Sequence, residues 1–436
     1  MAFPAARRWP VLLRRPPLTC DQAEALLHRL FDHGASPSFG VRLWDGREVA
    51  LGTGPRVTFL FHDPDTFGRC IGSEDPAEFA EAYSEGRLEV EGDLRDAVAV
   101  AFALRDFDPG LAGKLAIVSR LGVPTSRHTV VDDERDVRAH YDLSNDFFSL
   151  FLDPRMVYSC AYFRSPGESL EEAQVNKLDL VCRKLDLQPA DDFLDIGCGW
   201  GALVIQAASR YGARAQGLTL SVNQAAEARR RISAAGVTGR AEIFGAHYDT
   251  LPAEAFDKIA SVGMYEHVGL RRLPDYCRAA YRALRPGGLF LNHGITLPAA
   301  PQARTGGAFI FRHIFPGAEL VSVPVLQSTL EAAGFEILDV QSLRPHYALT
   351  LRAWHDRFSR VRPQAVALTS ERVVRMWEVY LVGCAKAFDL GLVSVHQVLA
   401  SKPARDGRAR IPLTRRAWEP DDSFTTPRIR TQDRLH

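Results

Sequence analysis

A glycine-rich turn at residues 195–201 is the first stretch of the chain whose residue types and spacing favour chemistry. Asp195 is followed by glycines at 197, 199 and 201, and a strand-like run precedes it. Glycines let the backbone turn and let a ligand approach without a Cβ in the way. The helix that follows offers free backbone N–H groups. The turn is neither a G-x-G-x-x-G dinucleotide motif nor a phosphate-binding loop with its lysine. An acid ahead of the glycines favours a ligand with an amino-acid group over a pyrophosphate.

The segments around this turn alternate between strand-like and helix-like patterns. We expect strands at 193–196, 215–220, 241–244, 258–262 and 289–292, and helices at 172–187, 202–211 and 225–235. This alternation predicts an α/β fold with a doubly wound, mostly parallel sheet, which places the turn at a strand end. A long amphipathic helix is expected at 370–388, and the first 110 residues or so favour a small α+β domain.

Length and composition bound the remaining possibilities. A chain of 436 residues predicts two or three domains. We place an N-terminal accessory domain at 1–112, a linker at 113–135, a catalytic domain at 136–400 and a basic, partly disordered tail at 401–436. The 53 basic and 53 acidic residues give zero net charge, which argues against a nucleic-acid binder.

Cysteine usage and hydropathy narrow the class of protein further. The seven cysteines form no C-x-x-C pair, so we expect neither a disulfide framework nor a metal site, and a cytoplasmic location. No apolar run is long enough to span a membrane. The arginine-rich tail is expected to be solvated, with contact to anionic lipid headgroups as the alternative.

The turn resembles the first motif of Rossmann-like class I methyltransferases that bind S-adenosylmethionine (SAM). In such enzymes an acidic residue at the end of the second strand usually holds the ribose. Here that strand ends Gly217-Leu-Thr-Leu-Ser221, without a carboxylate. Thr219 and Gln224 are therefore expected to hydrogen-bond the ribose instead.

Longer motifs narrow the resemblance. GLTLS-x-NQ at 217–224, HYDLSNDFFSLFLDPRMVYSCAYF at 140–163 and VGMYEHVG at 262–269 are similar to stretches of cyclopropane-fatty-acyl-phospholipid synthases and mycolic acid cyclopropane synthases. GVRLWDG at 40–46 and EAYSEGRLEVEGDL at 81–94 resemble the extra domain of the bacterial synthases that act on phospholipids. The motifs keep the family's order over about residues 35–400.

The resemblance implies a reaction on the cis double bond of an unsaturated acyl chain in a membrane phospholipid. SAM donates its methyl group to the alkene, a carbocation forms, the new methyl loses a proton and the ring closes, leaving S-adenosylhomocysteine. In the family a bound bicarbonate ion takes that proton. Such a site must align the alkene with the methyl group, exclude water and offer aromatic faces to the cation.

The resemblance also implies site residues. The bicarbonate set carries over to Cys160, Glu266, His293, Ile295 and Tyr347, and Cys384 is expected to line the pocket. Tyr158 and Ser159 are expected at the methionine carboxylate of SAM, and Asp195, Gly197, Cys198 and Gly199 around the rest of the methionine. The adenine site is left open between a backbone carbonyl and Asp249, because His247 stands where an acid is usual. A glutamate beside the bicarbonate anion would repel it, unless Glu266 and His293 share protons with the ion and orient it as a base.

The lipid side of the prediction rests on aromatic residues. Candidates for the acyl pocket are Phe147, Phe148, Phe151, Phe309, Phe311 and Phe315. Residues 309–315 (FIFRHIF) are either a membrane-facing segment, with Arg312 and His313 at the headgroups, or ordinary core. The family further implies a homodimer that contacts the inner face of the membrane peripherally.

Three alternatives are left open. A related enzyme that quenches the cation differently leaves a methylene or methyl branch on the chain. A non-catalytic relative binds lipid or SAM without turnover, although Glu266, His293 and Tyr347 are all retained. Methylation of a protein or a small polar molecule fits poorly, because no polar substrate site is evident.

Overall fold

The computed structural model describes residues 17–31, 37–73, 75–106, 143–298, 307–406 and 412–418. The chain divides into two compact units. The first comprises Met1–Phe151, Ala300–Ala318 and Ala348–Val393, and the second Leu152–Ala299, Glu319–Tyr347 and Ser394–His436. The domain boundaries expected at 112 and 136, and the linker between them, lie outside the described residues.

The described elements are as follows. The helices are α1 (Cys20–Phe31), α2 (Pro64–Gly72), α3 (Ala77–Ser84), α4 (Leu94–Asp106), α5 (Asn145–Ser149), α6 (Leu170–Lys184), α7 (Ala202–Arg210), α8 (Val222–Ala234), α9 (Leu273–Ala283), α10 (Gly307–His313), α11 (Val323–Ala332), α12 (Arg344–Arg360), α13 (Arg362–Leu368) and α14 (Glu371–Asp389). The strands are β1 (Phe39–Arg42), β2 (Glu48–Leu51), β3 (Val57–Phe61), β4 (Leu88–Gly92), β5 (Asp192–Ile196), β6 (Arg214–Leu218), β7 (Ala241–Phe244), β8 (Phe256–Val262), β9 (Leu284–Leu297), β10 (Val321–Ser322), β11 (Glu336–Ser342) and β12 (Ser394–Ser401). Short 3₁₀ turns lie at Tyr248–Thr250, Tyr265–His267 and Arg415–Trp418.

The first unit contains a four-stranded sheet in the order β2-β1-β3-β4. Strand β3 alternates buried and half-buried residues, as a strand with one face on the core must. Phe59 on that buried face makes an edge-on contact with Phe39, with ring centroids 5.9 Å apart. Helices pack with this sheet, so the small α+β domain expected from the sequence is confirmed.

The second unit contains the larger sheet, in the order β11-β12-β9-β8-β5-β6-β7, with the short β10 paired to β9. β12 is antiparallel to both of its neighbours, β11 and β9. Strands β9, β8, β5, β6 and β7 run parallel. The doubly wound, mostly parallel sheet is confirmed. Strand β5 lies between β6 and β8, where the strand order reverses, and ligands bind such sheets at the carboxyl ends of the strands beside that reversal.

Both faces of this sheet are covered. Phe193 of β5 packs in a core cluster with α6, α7 and α8, and the next residue, Leu194, packs in a cluster with α9 and α11 on the opposite face. Adjacent side chains of a strand point to opposite faces, so a strand covered on both sides must be apolar throughout. Asp195 is therefore an exception, because it is a buried acid among the apolar residues that follow Asp192 in β5.

The described part of the arginine-rich tail belongs to the second unit. Trp418 is buried in the cluster that includes α6, and Lys184 Nζ lies 5.6 Å from the centre of its ring. Arg415 forms an ion pair with the buried Asp339 of β11. Trp418 is thus packed on the protein, whereas residues 412–416 are exposed. Across the described residues, no helix has both the length and the apolar composition that crossing a bilayer requires.

Candidate active site

The glycine-rich turn joins the end of β5 to α7. Gly197 and Gly199 have φ angles of 82° and 52°, which favour glycine. A Cβ on Gly197 would lie 2.7 Å from Met264 Cγ, whereas no described atom lies within 4 Å of the corresponding position on Gly199. The backbone at Gly199 is therefore open to a ligand. Cys198, predicted in the same site, is buried, and its Sγ would contact a Cβ on Gly217 of β6.

Asp195 fits a cationic amino group. Its Oδ1 is buried and has no hydrogen-bond partner among the described residues. Burial raises the pKa of its carboxyl to about 7, and Lys177 acts in the opposite direction. A buried oxygen without a partner is rare in folded proteins and calls for a ligand. The ammonium of a bound methionine would supply the missing donor.

The two residues expected at the ribose are in contact. Thr219 Oγ1 donates to Gln224 Oε1 over 2.9 Å, so the amide nitrogen of Gln224 is left to donate to a ligand. Ser221 caps α8 by accepting from the Gln224 backbone N–H at 3.3 Å, which fixes where Gln224 lies. Near the adenine position, the Asp249 carboxylate lies 3.0 Å from His247 Nδ1, so an acid does occupy this region.

The segment with Tyr158, Ser159 and Cys160 is held by α6. Gln174 Nε2 donates to the Ser159 carbonyl and Lys177 Nζ donates to Ser159 Oγ, each over 3.0 Å. Neither Gln174 nor Lys177 is among the residues predicted from the sequence. The available signal was the presence of polar residues three apart on the apolar face of a predicted helix.

Glu266 is fixed by the strand that carries the predicted anion residues. Its Oε1 accepts the Ile295 backbone N–H at 2.7 Å, and Tyr265 donates its hydroxyl to the Ile295 carbonyl. Both backbone groups of Ile295 are thus engaged by the protein, and Ile295 acts here by holding Glu266. Glu266 is 6% exposed, and burial raises the pKa of its carboxyl to about 7. Its Oε2 has no partner in the described part of the chain.

His293 is held in one tautomer by its neighbour across the sheet. Gln397 of β12 stands opposite His293 of β9, and its amide Nε2 lies 3.2 Å from His293 Nδ1. An amide N–H can only donate, so the neutral imidazole carries its proton on Nε2. Burial, and then the charge of Lys177, lower the pKa of His293 far below its usual value. Nε2 has no partner among the described residues, so this N–H is available to a ligand.

Cys160 and Tyr347 meet at one carbonyl. Cys160 Sγ lies 3.9 Å from the Leu343 carbonyl oxygen, which also accepts the Tyr347 backbone N–H at 3.2 Å. The buried ammonium of Lys177 interacts electrostatically with Cys160, Asp195 and His293. Cys160, Asp195 and His293 therefore lie within electrostatic reach of one buried charge in the second unit.

Cys384 and the candidate acyl-pocket aromatics lie in the first unit. Burial raises the pKa of the Cys384 thiol to about 12, so it is protonated at neutral pH. Phe147 and Phe151 are fully buried, and their rings pack against Trp377 at 5.1 and 5.6 Å. Phe309 is also buried. These three side chains are core residues of that unit.

Arg312 and His313, the two basic residues of the segment that is either membrane-facing or core, both contact one carboxylate of the first unit. Arg312 forms an ion pair with Glu81, and His313 Nε2 lies 2.9 Å from the same carboxylate. Glu81 is buried on α3, where its charge requires such partners. Both side chains therefore contact the buried carboxylate of Glu81 within the first unit.

The sheet order and the glycine-rich turn after β5 are those of the Rossmann-like fold of class I SAM-dependent methyltransferases. Residues 128–398 match the family model described as mycolic acid cyclopropane synthetase, and residues 26–107 match a domain of unknown function. The chain belongs to the mycolic acid cyclopropane synthetase family.

Individual relatives agree with this assignment. A probable fatty acid methyltransferase of Pseudomonas putida is 40% identical over 381 residues, which cover 86% of this chain and 94% of that protein. Cyclopropane mycolic acid synthase 1 of Mycobacterium tuberculosis is 40% identical over 278 residues, covering 61% of this chain and 96% of the relative. Among solved structures, mycolic acid cyclopropane synthase CmaA1 complexed with SAH and CTAB matches with a TM-score of 0.58 and 39% identity, over 62% of this chain and 98% of that one.

Proposed function

We propose that this methyltransferase forms cyclopropane rings on unsaturated acyl chains of membrane phospholipids. The observation that carries the proposal is a pair of buried polar atoms without partners among the described residues, Glu266 Oε2 and His293 Nε2. Each belongs to a side chain already fixed by a hydrogen bond from the opposite side. A polar ligand between them would satisfy both atoms.

Bicarbonate fits the chemistry of these groups, and when bound it supplies the base for the proton that ring closure releases. His293 donates its Nε2 proton to the anion. Glu266, with a pKa near 7, is partly protonated at neutral pH and donates or accepts according to its state. Cys160 and Tyr347 complete the predicted set, and Ile295 positions Glu266.

SAM supplies the methyl group, and the chain's residues bind and align its parts. Asp195 receives the ammonium of the methionine, Ser159 its carboxylate, and Thr219 with Gln224 the ribose. The open backbone at Gly199 lets the methionine lie against the turn. Anchoring the cofactor at several points fixes the direction of its methyl group, which transfer to a weakly nucleophilic alkene requires.

The phospholipid substrate is supported by the motifs at 40–46 and 81–94, which resemble the extra domain of synthases that act on phospholipids. The relative from Pseudomonas putida, a probable fatty acid methyltransferase, matches over 86% of the chain. The match to the mycobacterial cyclopropane synthase covers 61% of the chain.

We further propose peripheral attachment to the inner face of the cytoplasmic membrane and a homodimer. Sedimentation at micromolar concentration should then not show a pure monomer.

Liposomes of an unsaturated phospholipid, incubated with SAM and bicarbonate, test the function. The lipid is extracted and examined by proton NMR, because a ring and a methylene branch add the same mass. High-field ring protons are expected, and they should fall at least tenfold in the Glu266→Gln variant and in buffer depleted of bicarbonate. Exocyclic methylene signals would replace the proposal by the branching enzyme. Unchanged lipid with tightly bound SAM would replace it by a binding protein.

A further inference from the structure

Lys177 is a buried lysine that the function proposed above does not use. The residue is 2% exposed, and its Nζ donates to Ser159 Oγ at 3.0 Å. Gln174, one helical turn earlier, binds the Ser159 carbonyl. One face of α6 therefore fixes both the backbone and the hydroxyl of Ser159.

The ammonium of Lys177 lacks a direct counter-ion. Within the described residues, its hydrogen-bond partner is the Ser159 hydroxyl, and no carboxylate is at ion-pair distance. Asp195 and Asp153 act on it only through longer-range electrostatics. Burying a charge is costly unless it is paired. Lys177 and the unpartnered Oδ1 of Asp195 are thus two unsatisfied groups of opposite charge in one neighbourhood.

We propose that Lys177 supplies the positive charge that binds the methionine carboxylate of SAM, and that it acts through Ser159. Because Lys177 donates to Oγ, the Ser159 hydroxyl proton is left to donate to an acceptor. Successive hydrogen bonds polarise one another, so the hydroxyl becomes a stronger donor to an anion. Asp195 meets the ammonium at the other end of the same group. The zwitterionic end of SAM then faces a cation and an anion of the protein.

This inference rests on the cofactor assignment in the proposed function, and it is independent of the lipid and of bicarbonate. Lys177 is a positioning residue, because it reaches the ligand through Ser159. Replacing Lys177 should therefore weaken the binding of a ligand that carries the carboxylate and not the binding of one that lacks it. Decarboxylated SAM is such a ligand.

The experiment measures dissociation constants of SAM and decarboxylated SAM by calorimetry, without lipid or bicarbonate. Lys177→Met should weaken SAM binding about 10- to 100-fold, the range for a lost hydrogen bond to a charged group. Binding of decarboxylated SAM should change less than about threefold. Lys184→Met is the matched control on the same helix. Its ammonium is buried and pairs with Asp339 at 3.1 Å, so both dissociation constants should stay at wild-type values.

Three results would overturn the inference. Unchanged binding of both ligands in Lys177→Met, or equal weakening of both, would make Lys177 a structural residue. Unchanged SAM binding with an altered bicarbonate dependence of turnover would make bicarbonate the anion. If Lys177→Met does not fold, Ser159→Ala should show the same selective loss. A protein with this selectivity that forms no lipid product would contradict the proposed function and leave this inference standing.

Discussion

Replacing Gly294 by alanine tests whether the geometry around Glu266 governs the reaction. Gly294 lies on β9 between His293 and Ile295. A Cβ at this position would lie 2.1 Å from Tyr265 Cε1 and 2.9 Å from Glu266 Oε1. Ordinary contact begins near 3.4 Å, so the ring must retreat by about 1.3 Å. Tyr265 is fully buried, so it cannot swing into solvent.

The expected effects follow from that displacement. Moving Tyr265 disturbs its hydrogen bond to the Ile295 carbonyl, and moving Glu266 disturbs its 2.7 Å bond to the Ile295 N–H. Overpacking of this kind costs about 1–3 kcal/mol of unfolding free energy. A shift of about 1 Å in a catalytic group lowers turnover by about 100-fold. SAM affinity should change little, because Ser159, Asp195 and Thr219 lie on other elements.

The assay compares turnover on unsaturated liposomes, SAM affinity by calorimetry and urea unfolding for the same variant. Gly239→Ala is the matched control, because Gly239 is exposed and no described atom lies within 4 Å of its Cβ position. Turnover within twofold of wild type in Gly294→Ala would refute the argument that Glu266 must hold this position. Equal losses of turnover and SAM affinity would show a general distortion instead.

Three further predictions concern other parts of the molecule. The pKa of Glu266 is about 7 in the folded protein against an ordinary 4.5, so the unfolded chain releases this proton at lower pH and the free energy of unfolding falls as pH rises between those values. Glu266→Gln should therefore raise the free energy of urea unfolding by about 3 kcal/mol at pH 8 and by much less at pH 5. Equal gains at the two pH values would contradict this. Arg312→Met should lower the free energy of unfolding by about 1–3 kcal/mol, because Glu81 loses a cationic partner, and it should leave binding to anionic vesicles unchanged. Weaker vesicle binding at unchanged stability would favour the headgroup interpretation instead. Gly383→Ala should raise the free energy of unfolding by about 0.5–1 kcal/mol, because Gly383 lies within α14 and no described atom lies within 4 Å of its Cβ position. A loss of turnover despite that gain would show that a ligand occupies the space beside Gly383.

The alternation of short apolar runs with amphipathic segments was sufficient to predict the doubly wound sheet, because that pattern is local. The predicted ends of helices and strands were less accurate where a capping side chain or pairing with another strand sets the end of the element. The helix expected from 225 begins at Val222, because the Ser221 side chain accepts the backbone N–H three residues later. The strand expected at 289–292 extends from Leu284 to Leu297, because pairing with β8 begins at Leu284 and pairing with β12 continues to Thr296, and pairing with another strand leaves no local signal.

By itself, the sequence determined the fold class, the family and the identity of most candidate site residues, because motifs of adjacent residues carry that information. Only the tertiary structure decided which side chains meet. The partner of His293 is Gln397, 104 residues away, and it is set by the register of an antiparallel strand. Arg312 reads as a surface charge until it meets the buried Glu81, 231 residues earlier. Lys177 is a polar residue on the apolar face of a predicted helix, and only folding shows that it is buried beside Ser159. Burial and long-range pairing determine what a charged side chain does, and both arise only when distant segments pack together.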